Sequence, residues 1–257
     1  MSKICVLIHG YLSDFRDFTV LPGRIIKDYD QVIMLNLPGH QDGQIKNFIK
    51  KNVFDYLDNE MNKIIKDRNG NKNIIDVIGF SLGGALTWYL AHHYELNKIV
   101  LLSPAIYYLN FNLYFDRRKY LKSLKNLSEE EKQKAKANYK KRNKEAFRFA
   151  KENTISKFRI KNAIEFIKII NKVKKEKNDI DVPMLLVRGN LDELVSKKSV
   201  NVCLKHNINP IKEVYLIEDI GHMMLRTDRA DEIIYKIIEF LEDNSYESNR
   251  TKNQISS

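Results

Sequence analysis

Ile74-Ile75-Asp76-Val77-Ile78-Gly79-Phe80-Ser81-Leu82-Gly83-Gly84 is the stretch on which the fold turns. Its apolar, β-branched beginning, Ile74 to Ile78, reads as a buried strand. Gly79-Phe80-Ser81-Leu82-Gly83 follows without a break and fits G-x-S-x-G, and residues 82–93 read as a helix. The pentapeptide recurs by chance in many chains, so its place between strand and helix is what gives it meaning. A serine in such a turn has a strained backbone, and side chains two residues to either side would collide with neighbouring elements. The turn lifts the Ser81 hydroxyl clear of the sheet, at a helix N-terminus where backbone N–H groups can hold negative charge. An incidental serine in a glycine-rich turn is the plain alternative.

Outward from this point the chain alternates between strands and helices. Toward the N-terminus, Ile4 to Ile8 is a short apolar run ending at His9-Gly10, and Val32 to Leu35 is another, ending in Asn36-Leu37-Pro38-Gly39-His40. Apolar residues at three- and four-residue steps from Ile45 to about Asp67 predict an amphipathic helix stopped near Asn69-Gly70. Toward the C-terminus, Lys98 to Leu102, Pro183 to Val187 and Lys212 to Ile217 read as strands. Lys197 to His206 and Arg229 to Glu242 read as helices. This alternation predicts an α/β fold with a doubly wound, mostly parallel sheet.

About 80 residues between Ser103-Pro104 and Pro183 break the alternation. They open with aromatics, then turn rich in Lys and Glu. Ser128 with Glu131 three residues on has the form of a capping box, and Ile160, Ile164, Ile167 and Val173 imply a further helix. Residues 105–178 therefore read as a helical insertion, and residues 1–104 with 179–243 as the core. Residues 244–257 read as a polar, disordered tail.

Composition bounds the rest. The chain has 257 residues, 43% of them hydrophobic, enough for a sizeable core. No leader-like or membrane-length apolar run is present, which predicts a soluble, cytoplasmic protein with no transmembrane segment. The two cysteines read as buried thiols rather than a disulfide. The net charge of +11 is concentrated in residues 116–178, with 22 Lys or Arg against 8 Asp or Glu. A basic surface can attract nucleic acid or an anionic lipid surface. A solvated helical face accounts for it more simply, and nucleic acid is not the expected partner.

A serine hydroxyl needs a base within hydrogen-bond reach. Of the six histidines, His92 and His93 lie far along the helix after Ser81, His206 ends another helix, and His40 organises a turn. His222 follows a strand and a short loop and precedes the last helix, at the same sheet edge as Ser81. The acid that orients it should fall between serine and histidine in chain order. Asp192 fits, through the loop after the strand ending at Val187; Glu193 and Asp219 are the alternatives. An oxyanion would be held by the N–H groups of Leu82 and of Tyr11, the latter in the loop after the first strand. No His/Cys/Asp cluster has metal-ligand spacing, so neither metal nor cofactor is expected.

At these residues the chain resembles the bacterial carboxylesterase and monoacylglycerol-lipase group of α/β-hydrolases. The matching stretches are VLIHGY, LNLPGH, IGFSLGG, LLVRGNLDELV and IEDIGHMML, in family order over nearly the whole chain. The resemblance implies a lid of helices over the site, which suits the insertion, and cofactor-free hydrolysis of carboxylic esters with short or medium acyl chains. Two departures stand out: the hairpin that opens larger members is missing, and the lid is unusually basic. Aromatics of the insertion, Phe111 and Phe115 among them, would roof the acyl pocket. A thioesterase or acyltransferase on the same residues, or a non-catalytic ligand-binding protein of this fold, are the alternatives.

Overall fold

The computed structural model describes residues 1–40, 48–67, 69–108, 128–149, 151–152 and 159–243. Within them, six strands form one sheet: β1 (Lys3–Ile8), β2 (Gln31–Leu35), β3 (Ile74–Phe80), β4 (Lys98–Leu102), β5 (Met184–Gly189) and β6 (Lys212–Ile217). Their order is β2-β1-β3-β4-β5-β6, and every pairing is parallel.

The strand sequences explain why both faces are covered. Ile4, Val6 and Ile8 of β1 enter one apolar cluster, while Cys5 and Leu7 enter the other. Strands β4 and β5 split in the same alternating way, so neither face can be left to water. The helices α1 (Leu21–Ile25) and α8 (Ala230–Glu242) cover the Cys5 face. The opposite face packs against α2 (Lys50–Ile64), α3 (Leu82–His93), α6 (Ile160–Val173) and α7 (Lys198–His206). Two further helices, α4 (Glu129–Arg142) and α5 (Lys144–Phe149), precede α6 between β4 and β5.

Buried charges inside this core are matched. Lys98 Nζ donates to the carbonyls of Phe240, Leu241 and Asp243, a cation at the C-terminal end of α8. Asp76 accepts from the Tyr29 hydroxyl at 2.6 Å and from Asn97 Nδ2 at 2.8 Å. Cys5 and Cys203 are both free and buried, in opposite clusters, and burial pushes each thiol well up.

Local expectations and structure differ at two places. Helix α2 starts at Lys50, because Ile49 is extended and acts as its cap, while the Phe48 ring turns toward Tyr11 and His40. In α6 the buried side is Phe166, Ile169, Ile170 and Val173, whereas Ile160, Ile164 and Ile167 are exposed. Although α6 lies within the stretch read as an insertion, it packs with α2 and α3 in the same core cluster. The capping box at α4 is present: Ser128 Oγ accepts from Glu131 N–H, and the Glu131 carboxylate accepts from Ser128 N–H.

The chain runs from β1 outward to β2, then returns to lay β3 on the other side of β1. At such a reversal the loops leaving the two strands diverge and open a crevice at their C-terminal ends. Here those loops are His9-Gly10-Tyr11 and the turn at Ser81.

Candidate active site

Ser81 sits between β3 and α3 with φ 55° and ψ −111°, in the left-handed region that disfavours a side chain. Tight packing enforces the turn. A Cβ on Gly83 would lie 1.8 Å from the Ile8 carbonyl oxygen, and one on Gly79 would lie 2.3 Å from that of Gly83. Ser81 N–H donates to Leu102 O at 2.8 Å, and Ser81 O accepts from Ala85 and Ala105. The backbone is therefore held on both sides while the hydroxyl stays clear.

The Ser81 hydroxyl donates to His222 Nε2 at 2.9 Å. His222 Nδ1–H donates to the Asp192 carboxylate, 3.1 Å from Oδ1 and 3.0 Å from Oδ2. The Asp192 Oδ1 also accepts from the N–H groups of Leu194 and Val195, each at 2.9 Å. These bonds assign the tautomer: the Nδ1 proton faces the acid and the Nε2 lone pair faces the serine. Asp192 and His222 are both buried.

Burial alone would raise the Asp192 carboxyl, but the His222 charge and hydrogen bond, Val195 N–H and Arg188 hold it below the usual carboxylate range. Burial would lower His222, yet Asp192, Glu193 and Asp17 outweigh it and hold the imidazole above its ordinary value. Arg188 is itself buried and ties the acid loop together, donating to the carbonyls of Gly189 and Val195 at 2.9 Å.

The two alternative acids lie elsewhere. Glu193 turns its carboxylate to the backbone N–H of His222, at 3.2 Å, and burial pushes it up. Asp219 lies in the left-handed region at φ 59°, with its N–H on Asn190 Oδ1 and its carbonyl on Asn143 Nδ2. Neither alternative carboxylate is hydrogen-bonded to the imidazole.

Leu82 is the first residue of α3, where an N–H has no acceptor within the helix. Tyr11 lies on the β1 loop, which Asp17, His9 and His40 hold in place. Gly10 N–H donates to Asp17 Oδ2 at 2.9 Å, and Ser13 Oγ–H donates to Asp17 Oδ1. His9 Nε2 accepts from Leu37 N–H at 3.1 Å, and His40 Nε2 accepts from Leu12 N–H at 3.2 Å. Each histidine thus secures the loop that carries the other. Burial holds His9 low, so it remains neutral and keeps this acceptor. His40 organises its turn, as its position implied. The pairing of His9 with His40 has no local signal, because its partners are about 28 positions apart.

Beside Tyr11 stand Phe48, at 5.3 Å between ring centroids, and Phe166, at 4.8 Å, with Tyr108 edge-on to Phe166 at 4.6 Å. Phe80 packs against the His222 ring at 5.0 Å. Phe111 and Phe115 lie outside the described residues. Chemically, the arrangement couples a hydroxyl through an imidazole to a buried carboxylate, which makes proton removal from the hydroxyl feasible at neutral pH.

Comparison with known proteins agrees with this architecture. A monoacylglycerol lipase from Paleococcus ferrophilus superposes with a TM-score of 0.68 at 17% identity, over 93% of each chain. A soluble variant of monoglyceride lipase from Saccharomyces cerevisiae gives a TM-score of 0.68 at 15% identity, covering 93% of this chain and 86% of that one. MenH from S. aureus gives 0.55 at 21% identity over 94% of both. No curated protein matches in sequence. The model of the hydrolase family described as "serine aminopeptidase, S33" matches residues 1–229, so the chain, as the α/β-hydrolase resemblance implied, belongs to that family.

Proposed function

We propose that the protein is a serine hydrolase of carboxylic esters that works through an acyl-enzyme. The observation that carries this reading is the unbroken chain of hydrogen bonds from Ser81 Oγ through His222 to Asp192 at a strained strand-to-helix turn. In this reading His222 Nε2 takes the Ser81 proton as Oγ attacks the ester carbonyl. Asp192 holds the imidazolium and its tautomer. The N–H groups of Leu82 and Tyr11 receive the oxyanion, His222 returns the proton to the leaving alcohol, and a water repeats the cycle on the acyl-enzyme.

Two lines support an ester over a peptide. The solved structures of similar fold include proteins named as monoacylglycerol and monoglyceride lipases. An aminopeptidase needs a carboxylate to hold the substrate's ammonium group. Among the described residues, the buried carboxylates around His222 and the loop after β1, those of Asp17, Asp192 and Glu193, are already engaged by Gly10 N–H, His222 Nδ1–H and His222 N–H. A thioesterase or an acyltransferase would use the same residues, and product analysis separates them.

The acyl chain, of short or medium length, would lie among Tyr11, Phe48, Tyr108 and Phe166, with Phe111 and Phe115 as its roof. The stretch 105–178 would supply the lid, principally through α4 and α5, since α6 packs in the core. Its surplus of Lys and Arg suits an anionic lipid surface.

The test is hydrolysis of a series of nitrophenyl esters from acetate to palmitate by the wild type and by Ser81→Ala. The expected outcome is an optimum between butyrate and octanoate and a loss on the order of 10⁶ in turnover for the variant. Retention of a tenth of wild-type turnover by folded Ser81→Ala would refute the reading.

A further inference from the structure

The loop that carries His222 is held from two sides. From the acid loop, Asn190 Oδ1 accepts from Asp219 N–H at 2.9 Å, Leu191 N–H donates to Ile220 O at 3.1 Å, and Glu193 accepts from His222 N–H. A second grip comes from outside the sheet, beside a long bond from Arg229 to Glu218 O at 3.5 Å. Asn143, at the junction of α4 and α5, donates from Nδ2 to Asp219 O at 3.1 Å and accepts at Oδ1 from Gly221 N–H at 3.0 Å.

This contact is unlike the helix before it. Helix α4 buries none of its residues, whereas Asn143 just beyond it is 1% exposed. A Cβ on Gly221 would come within 2.9 Å of Glu193 Oε2 and 3.4 Å of Asn143 Oδ1, so the glycine permits the close approach. Two neighbours extend the attachment. Arg226, four residues past the base, lies 3.6 Å from the centroid of the Phe149 ring of α5 and pairs with Glu145 at 3.5 Å. Asn143 Nδ2 also donates to Tyr139 O, which a plain helix cap would do by itself. The paired bonds to Asp219 and Gly221 go beyond capping.

We propose that Asn143 is a positioning residue for His222, through which the docking of α4 and α5 sets the placement of the base. The inference rests on the reading of Ser81 and His222 given above. With Asn143 seated, Asp219 O and Gly221 N–H are fixed and the imidazole lies 2.9 Å from Ser81 Oγ. With that segment displaced, both groups turn to water, the loop relaxes, and the imidazole drifts from the hydroxyl. The inserted helices thereby act on the rate of chemistry and not only on access to the site.

The experiment compares wild type and Asn143→Ala in fluorophosphonate labelling of Ser81, ester kinetics, and the low-field NMR signal of the His222 Nδ1 proton. A displacement of about 1 Å in a reacting group can cost on the order of 100-fold. We expect labelling and kcat to fall about 10- to 100-fold, KM to stay within about threefold, and the Nδ1 proton signal to broaden in a protein that remains folded by circular dichroism. Labelling at the wild-type rate, or activity lost only in proportion to unfolded protein, would overturn the proposal. Should the alanine variant not fold, Asn143→Ser, which keeps one acceptor, is judged by the same criteria. If the wild type itself takes up no fluorophosphonate, the ester-hydrolase reading fails instead, and the Nδ1 signal still reports on Asn143.

Discussion

Helices α3 and α4 stand on either side of β4 in the chain and could hardly differ more. In α3, every residue from Leu82 to Leu90 is buried; in α4, none is. The first is shaped by its neighbours: Gly83 presses on Ile8, and Gly84 comes so close to Pro104 that a Cβ would lie 2.9 Å from its Cα. The second is shaped by itself, through a capping box at Ser128, acidic residues in its first turn and basic ones in its last. Side chains in contact with many neighbours are constrained in type, and those in water are not. Chemistry is therefore legible around α3, while the preference for substrate, which the inserted segment would set, is not.

The sharpest way to break this contrast is at the acid. Asp192→Asn should lower turnover by about 10⁴, since the amide favours the wrong imidazole tautomer. Asp219→Asn should stay within about 0.5 kcal/mol of wild type in transition-state stabilisation, because the half-buried Asp219 is held through its backbone, which the change keeps. Steady-state kinetics on one ester decides between them. Greater damage at Asp219 would move the acid to the other loop.

Next comes the glycine that touches β1. Gly83→Ala should cost about 1–3 kcal/mol of stability through overpacking, and it should displace the loop that carries Tyr11. Gly23→Ala is the control, because a Cβ there meets nothing within 4 Å. It should be neutral or stabilising, by about 0.4–1 kcal/mol. Urea denaturation measures both. Equal losses would mean that the packing around the turn is looser than these distances state.

The pH dependence is smaller in effect but has a definite sign. In the proposed mechanism only neutral His222 can take the Ser81 proton, and Asp192 outweighs burial to hold the imidazole above its ordinary 6.5. Accordingly kcat/KM should rise with pH through a single ionisation above that value, and Asp192→Asn should shift the midpoint downward. Stability runs the other way. A base whose pKa is raised by folding stabilises fully below about 6.5, and loses that contribution as pH rises through the folded value. A midpoint below 6 in the wild type would mean that burial, not Asp192, dominates.

At the small end, Lys134→Ala and Lys136→Ala on α4 should each change stability by less than about 0.5 kcal/mol. Thermal denaturation measures it. A larger loss would give α4 a packing role its exposure does not suggest.

What could be read from the sequence follows the same division. The buried strands and the turn at Ser81 were legible because apolar runs and paired glycines are local signals. Chain order points to Asp192 with Glu193 and Asp219 as alternatives, and of the three carboxylates the one hydrogen-bonded to His222 Nδ1 is that of Asp192. The start of α2 was misplaced because Phe48 keeps helical spacing while its ring packs on Tyr11 and His40. Asp17, the His9–His40 pairing and the Asn143 contact were invisible: Asp17 bonds to Gly10 and Ser13 inside an irregular loop, and the other contacts join residues 28 or more positions apart. No periodicity records such pairs.

The most direct measurement is mass spectrometry of the protein after brief exposure to a fluorophosphonate at several pH values. The account predicts one adduct, on Ser81, forming faster as His222 loses its proton and absent from Ser81→Ala. An adduct on another residue, or equal labelling of Ser81→Ala, would contradict it.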